Sequence, residues 1–270
     1  MTKRNGFYEE HISEWEEIHD LQEDGWIYRG QKDSTKKLET TLERACKNYK
    51  VSLEKAKVIE NRLLREFKRK YHHYSPHIPN RKNTLEWLSL MQHYGAPTRL
   101  LDFTYSIYVA AYFALEEALA PEEADKGYAV WAINGDWAIK KSALLFKKEP
   151  EIRKFLKEFI EEEKEEVFEK AFRGLNPKRF ACPQNPFRLN ERLTIQKGVF
   201  MCPGNVTFPF EENLCFLSGW KEKWNIKKII IPEQLRRKSL DKLSDMNISR
   251  ATLFPGLDGF AQSLKVSMPK

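Results

Sequence analysis

Three observations in the sequence predict an α+β domain. Short apolar stretches of strand length carry no charge, the clearest being Gly127-Tyr128-Ala129-Val130-Trp131-Ala132-Ile133. Longer stretches with apolar residues at helical spacing alternate with them, as in Ala56, Ile59, Leu63, Leu64 and Phe67. No internal repeat, low-complexity tract or flexible linker separates the two kinds of segment, so a single domain over residues 1–270 is expected.

From the N-terminus, residues 8–21 read as an amphipathic helix through Ile12, Trp15, Ile18 and Leu21. Asp24-Gly25 breaks it, and Trp26-Ile27-Tyr28 opens a strand. The segment 34–49 reads as a loop entering a helix. Ser52 caps a long helix through about Tyr71, and the two prolines of 72–81 make a loop. Asn83 followed by Glu86 has the form of a capping box for a helix through Tyr94. Gly95 suits the left-handed position after that helix, and Pro97 forbids its continuation.

Thr98 to Phe103 then reads as a strand, and Ser106 caps a helix over 107–120 that Pro121 stops. After the strand at 127–133, a charged helical insertion covers about 136–178, and its cluster at 161–166 reads as a solvated face. Strands are expected at 193–201 and 228–231, then a helix at 233–245, and the segment Phe254 to Phe260 turns into a terminal helix.

Composition narrows the class. The chain is 41% apolar and 31% charged, which suits a folded globular protein. No apolar run approaches the ~20 residues a membrane span needs, and the N-terminus has no signal-peptide pattern, so a cytoplasmic protein is expected. The four cysteines show no C-x-x-C pair and read as buried free thiols. His72, His73 and His77 lack zinc-site spacing, and no metal is expected. The net charge of +7 permits an anionic partner but is spread among acids along the helices.

The residues with the strongest chemical signal sit in two segments. In Tyr28-Arg29-Gly30-Gln31 at a strand end, glycine permits close approach of a flat ligand, and arginine offers a forked donor to phosphate or carboxylate. Alternatively, Arg29 pairs with an acid on a neighbouring strand. In Gln92-His93-Tyr94-Gly95-Ala96-Pro97-Thr98-Arg99-Leu100-Leu101-Asp102-Phe103-Thr104, charges stand inside an apolar strand, where they must be paired or used. Alternation places Thr98, Asp102 and Thr104 on one face and Arg99 on the other. Thr104 and Ser106 stand at a helix start, a place suited to anions or polar groups. Asp102 could equally cap that helix or pair with Arg29. His93 ends a helix, where an imidazolium suits the dipole. A third segment, Asn190 to Phe200, puts Arg192, Thr194, Gln196 and Gly198 on one strand face.

These segments, with Ala110-Ala111-Tyr112-Phe113-Ala114, Asn190-x-Arg192 and Leu253-Phe254-Pro255, resemble the bacterial FRG domain family. Their order is also similar to that of ADP-ribosyltransferases. That resemblance implies an ADP-ribosyltransferase-like mixed sheet flanked by helices, and an NAD-dependent ADP-ribosyltransferase or NAD glycohydrolase, with a toxin or phage-defence role. It implies catalytic roles for Arg29, Asp102, Thr104 and Gln196. Tyr28, Gly30, Gln31, His93, Thr98, Arg99 and Ser106 are then the candidates for holding NAD. The acceptor would be a nucleic acid or a protein.

Where such transferases usually place a glutamate, this chain has Gln196, a neutral group that lacks anionic stabilisation. A non-catalytic module binding nucleotide or nucleic acid through Arg29 and Arg99 is the alternative. A hydrolase using His93 and Asp102 is a third class, without a metal-ligand set to accompany it.

Overall fold

A computed structural model describes residues 2–4, 6–157 and 165–264. Among them, eight strands form one mixed sheet: β1 (Thr2–Arg4), β2 (Phe7–His11), β3 (Trp26–Gln31), β4 (Leu101–Thr104), β5 (Tyr128–Asn134), β6 (Ala181–Gln184), β7 (Gly198–Pro203) and β8 (Ile226–Ile231). Their spatial order is β1-β2-β8-β5-β3-β4-β7-β6, with only β2 and β8 parallel. The fold is therefore α+β with a mixed sheet.

Alternation along β3 and β5 builds a core on each side of the sheet. Tyr28, Tyr128, Val130 and Ala132 face α4 (Ile107–Leu115), whose Ile107, Ala110, Ala111 and Ala114 are fully buried. Ile27, Trp131 and Ile133 face the other way, into the core that also receives Leu101, Phe103 and the helices α2 (Ala56–Lys70) and α3 (Thr84–His93). The helices α5 (Gly135–Leu144), α6 (Pro150–Lys157) and α7 (Glu165–Arg173) occupy the connection from β5 to β6 and close this second core. Of the acidic cluster at 161–166, residues 161–164 lie outside the described residues.

Three segments differ from the expectation. Residues 8–21 are not one helix: β2 runs beside β8, and a 3-10 helix follows at Trp15–Leu21. Ile12, Trp15, Ile18 and Leu21 are all buried, and their spacing of three is the 3-10 period. The strand expected from Thr98 starts only at Leu101, because the Thr98 backbone is drawn aside to the Thr41 hydroxyl, which accepts from its amide and donates to its carbonyl. At 193–201 the first half is helical. Asn190 caps α8 (Glu191–Ile195) by accepting from the Leu193 amide, and Lys197 at φ 47° turns the chain into β7.

Arg99 is buried against Glu60 of α2, with Nη2 2.5 Å from Oε2 and Nε 2.8 Å from Oε1. Its Nη1 also donates to the carbonyls of Phe172 and Pro203. Burial by itself would raise the Glu60 carboxyl, but the Arg99 guanidinium overrides it and holds Glu60 below the usual carboxylate range. Removing one partner strands the other charge, so Arg99→Ala is expected to cost about 3–5 kcal/mol of stability. Urea denaturation followed by circular dichroism measures this, and a loss below about 0.5 kcal/mol would show that the pair is dispensable.

Candidate functional site

The site lies where β3 and β4 part. These neighbours share a single ladder pair, Tyr28 with Thr104, whereas β3 and β5 pair over six residues. Arg29 spans the opening, its Nη1 donating to the Asp102 carbonyl at 2.6 Å. A cavity of about 180 Å³ occupies the split, walled by Tyr28, Arg29, Gly30, Asp102, Phe103, Thr104, Phe113 of α4, and Arg192 and Gln196 of the α8 turn. A smaller adjoining hollow of about 50 Å³ shares Asp102, Arg192 and Gln196, and adds Ser89, Gln92, His93 and Asn190.

Asp102 is exposed to these spaces, and its side chain is aimed by α3. Gln92 Nε2 donates to Asp102 Oδ2 at 2.8 Å. The Gln92 carbonyl oxygen in turn accepts from Thr98 Oγ1 at 2.6 Å and Thr41 Oγ1 at 3.2 Å. Two hydroxyls thus fix the amide orientation, and the amide holds one carboxylate oxygen while the other stays available.

Two guanidinium groups face this one carboxylate. Burial pulls the Arg29 pKa down; Asp102 opposes that and Arg44 adds to it. Burial likewise lowers Arg192, with Asp102 opposing and Arg250 reinforcing. Both remain charged at neutral pH, since the guanidinium pKa starts above 12. The Arg192 guanidinium has no hydrogen-bond partner among the described residues and rests 4.5 Å from the Phe254 ring centre. Partial burial and Arg192 lower the His93 pKa, so its imidazole is neutral at pH 7.

The remaining candidates divide. Gly30 borders the cavity, but a Cβ there would stand 2.0 Å from the Ala110 carbonyl and 2.5 Å from the Ala114 amide. Its missing side chain lets α4 seat on the sheet. Thr104 Oγ1 donates to the Gln196 carbonyl at 2.7 Å and accepts from the Ser106 amide, so it fixes the turns around the site. Ser106 caps α4 through the Val109 amide and does not line the cavity.

Gln31 is engaged by Trp131 Nε1 and the Lys37 carbonyl, also away from the cavity. Thr98 is fully buried behind Gln92, and Arg99 is committed to Glu60 in the core. Neither can hold a ligand directly. Gln196 donates from Nε2 to the Leu253 carbonyl at 3.0 Å, and its side-chain oxygen has no hydrogen-bond partner among the described residues. Arg192 and Phe113 line the cavity although neither was among the expected site residues. Strand alternation already set Arg192 beside Gln196, and the helical turn, where they stand at i and i+4, keeps them on one face.

Burial pushes the Cys182 and Cys215 thiols up to about 12, so neither supplies a thiolate nucleophile. Among the described residues, no group of three or more His, Cys, Asp or Glu side chains could hold a metal ion. No helix among them is long and apolar enough to cross a membrane.

The model of the FRG domain matches residues 24–123 of the chain. The matched stretch holds Tyr28, Arg29, Gly30, Asp102, Thr104 and Phe113, whereas Arg192 and Gln196 come from beyond it. No curated protein and no solved structure matches the chain.

Two predictions follow from the packing of β3. Gly30→Ala forces α4 off the sheet and is expected to cost at least about 1–3 kcal/mol. A thermal melt tests it, and an unchanged melting temperature would return Gly30 to a ligand-contact role. Tyr28 is fully buried, its hydroxyl accepting from the Glu23 amide and donating to the Leu21 carbonyl. Burial pushes its pKa from 10.0 up to about 12. A raised phenol stabilises the fold fully below pH 10 and loses that contribution as pH climbs toward 12. Tyr112 and Tyr128 titrate in the same window. Denaturant midpoints should fall across it, and Tyr28→Phe should make the decline shallower. An identical decline in the variant would contradict the assignment.

Proposed function

We propose that the split between β3 and β4 binds a pyrophosphate-bearing nucleotide, and that NAD is the substrate, cleaved between nicotinamide and ribose. The observation that carries this reading is the convergence of Arg29 and Arg192 on one cavity that contains the single carboxylate of Asp102. Two guanidinium groups against one carboxylate leave a positive balance, and Arg192 has donors to spare for phosphate oxygens. Phe113 supplies a flat apolar wall for a ring.

The chemistry this arrangement can perform is a glycosyl transfer. The bond from the ribose anomeric carbon to the nicotinamide nitrogen breaks, and nicotinamide leaves with the electron pair. Water or an acceptor hydroxyl adds to the anomeric carbon and gives up its proton. Asp102 stabilises the oxocarbenium-like transition state, its free oxygen facing the cavity. Gln196 accepts from a ribose hydroxyl through its carbonyl oxygen. Neutral His93, in the adjoining hollow, stands where the acceptor enters and can take the proton. That acceptor is water in a glycohydrolase, or a nucleic acid or protein in a transferase. The order of motifs also supports this reading, although the glutamate usual in transferases is replaced by Gln196.

Purified protein incubated with NAD should release nicotinamide, read by chromatography, and should bind ADP-ribose in calorimetry. Arg29→Ala and Arg192→Ala should each weaken ADP-ribose binding by about 2–3 kcal/mol while the protein stays folded. Asp102→Asn should retain binding and lose turnover. Gln196→Glu should lower turnover, because a carboxylate would then oppose the Leu253 carbonyl. Binding without turnover would make the chain a non-catalytic nucleotide module. No binding of ADP-ribose by the wild-type protein would sink the nucleotide reading altogether.

A further inference from the structure

The cavity's second arginine is held by a part of the chain that contributes nothing to the cavity wall. After α10 (Arg236–Asp245), a short helix α11 (Arg250–Leu253) leads into Phe254. The guanidinium carbons of Arg192 and Arg250 both stand 4.5 Å from the centre of the Phe254 ring. Arg250 is itself fixed by Glu116 just after α4, Nη1 to Oε2 at 2.5 Å. Phe113 of the cavity wall meets the same ring edge-on at 5.9 Å. One residue earlier, the Leu253 carbonyl receives Gln196 Nε2. The 253–254 step therefore touches both α8-turn residues that face the cavity.

We infer that Phe254 is a positioning residue for the nucleotide site, stacking Arg192 into the orientation in which it takes a phosphate. The inference rests on the nucleotide reading above. Its physical basis is the absence of a hydrogen-bonding anchor among the described residues: an arginine without hydrogen bonds samples many rotamers, and ordering it on binding costs affinity. A guanidinium resting on an aromatic face is restricted in advance while its N–H edge stays free. The paired Arg250–Glu116 couple fixes the ring in turn. Arg192 thus reaches the cavity pre-oriented although no carboxylate grips it.

The test is a double-mutant cycle between Phe254 and Arg192, read as the dissociation constant for inorganic pyrophosphate and for ADP-ribose by calorimetry. Phe254→Met keeps apolar volume and removes the ring, and it should weaken pyrophosphate binding ~5- to 10-fold. In the Arg192→Ala background the same substitution should change binding less than ~2-fold, since the group it positions is gone. Phe254→Tyr should restore wild-type affinity.

A purely structural role for Phe254 predicts equal losses in both backgrounds, and that result overturns the inference while leaving the nucleotide reading intact. Unchanged affinity in Phe254→Met does the same. Failure of the wild-type protein to bind either probe overturns the reading and this inference together. Should Phe254→Met not fold, Arg192→Lys takes its place, keeping the charge and losing the planar stack. A ~5-fold or greater loss then supports the stack, and wild-type affinity overturns it.

Discussion

The buried ion pair of Arg99 with Glu60 is the constraint on which the geometry of the site depends. Arg99 stands two residues before β4, and its guanidinium reaches α2, the end of α7 and the end of β7 at once. A charge brought this deep must be fully bonded, so the backbone at Arg99 has little freedom to move without exposing Glu60. β4 follows directly, carrying Asp102 and Thr104. Its position against β7 is set over four residue pairs, while on its other side it meets β3 at a single pair. The strand is thus anchored on one side and left open on the other, and the opening is the cavity.

That asymmetry gives polar groups a reason to be where they are. A split in a sheet leaves backbone groups without ladder partners, and the Arg29 guanidinium answers one of them, the Asp102 carbonyl. Gln92 holds the Asp102 carboxylate from the other direction and is itself oriented by Thr98 and Thr41. Residues that looked like ligand contacts are in part the supports of others. Thr98 aims Gln92, Thr104 fastens the α8 turn, and Gly30 lets α4 lie close enough to bring Phe113 to the cavity. Among the described residues lining the cavity, Arg192, one oxygen of Asp102 and the side-chain oxygen of Gln196 keep free bonding capacity.

The FRG match and the cavity have different extents. Residues 24–123 supply β3, β4 and α4, which frame the split and contribute Arg29 and Asp102. The α8 turn and the 253–254 step close it from the C-terminal half, adding the second positive charge. The two guanidinium groups of the site therefore come from two parts of the chain that fold against each other.

The sequence by itself determined most of the elements and named the two segments that meet. The uncharged run at 127–133 could only be a strand buried on both faces, and it is the strand between β3 and β8. Ser52, Ser106 and Gly95 marked helix ends through local rules of capping and handedness, which need only a few neighbouring residues. That Arg29 and Asp102 stand near one another was an expectation from charges at strand ends, but Arg29 bonds the Asp102 backbone carbonyl, while Gln92 holds the carboxylate.

What only the tertiary structure decided was which charges are spent in the core. Arg99 and Asp102 stand three residues apart with equal chemical promise, yet Glu60, 39 positions upstream, claims one and leaves the other. Likewise β2 became a strand because β8 offered it an edge, and the segment at 191–195 became helical where alternation suggested a strand. Pairing across the sheet and burial against distant helices depend on residues far apart in the chain. Local pattern does not encode them.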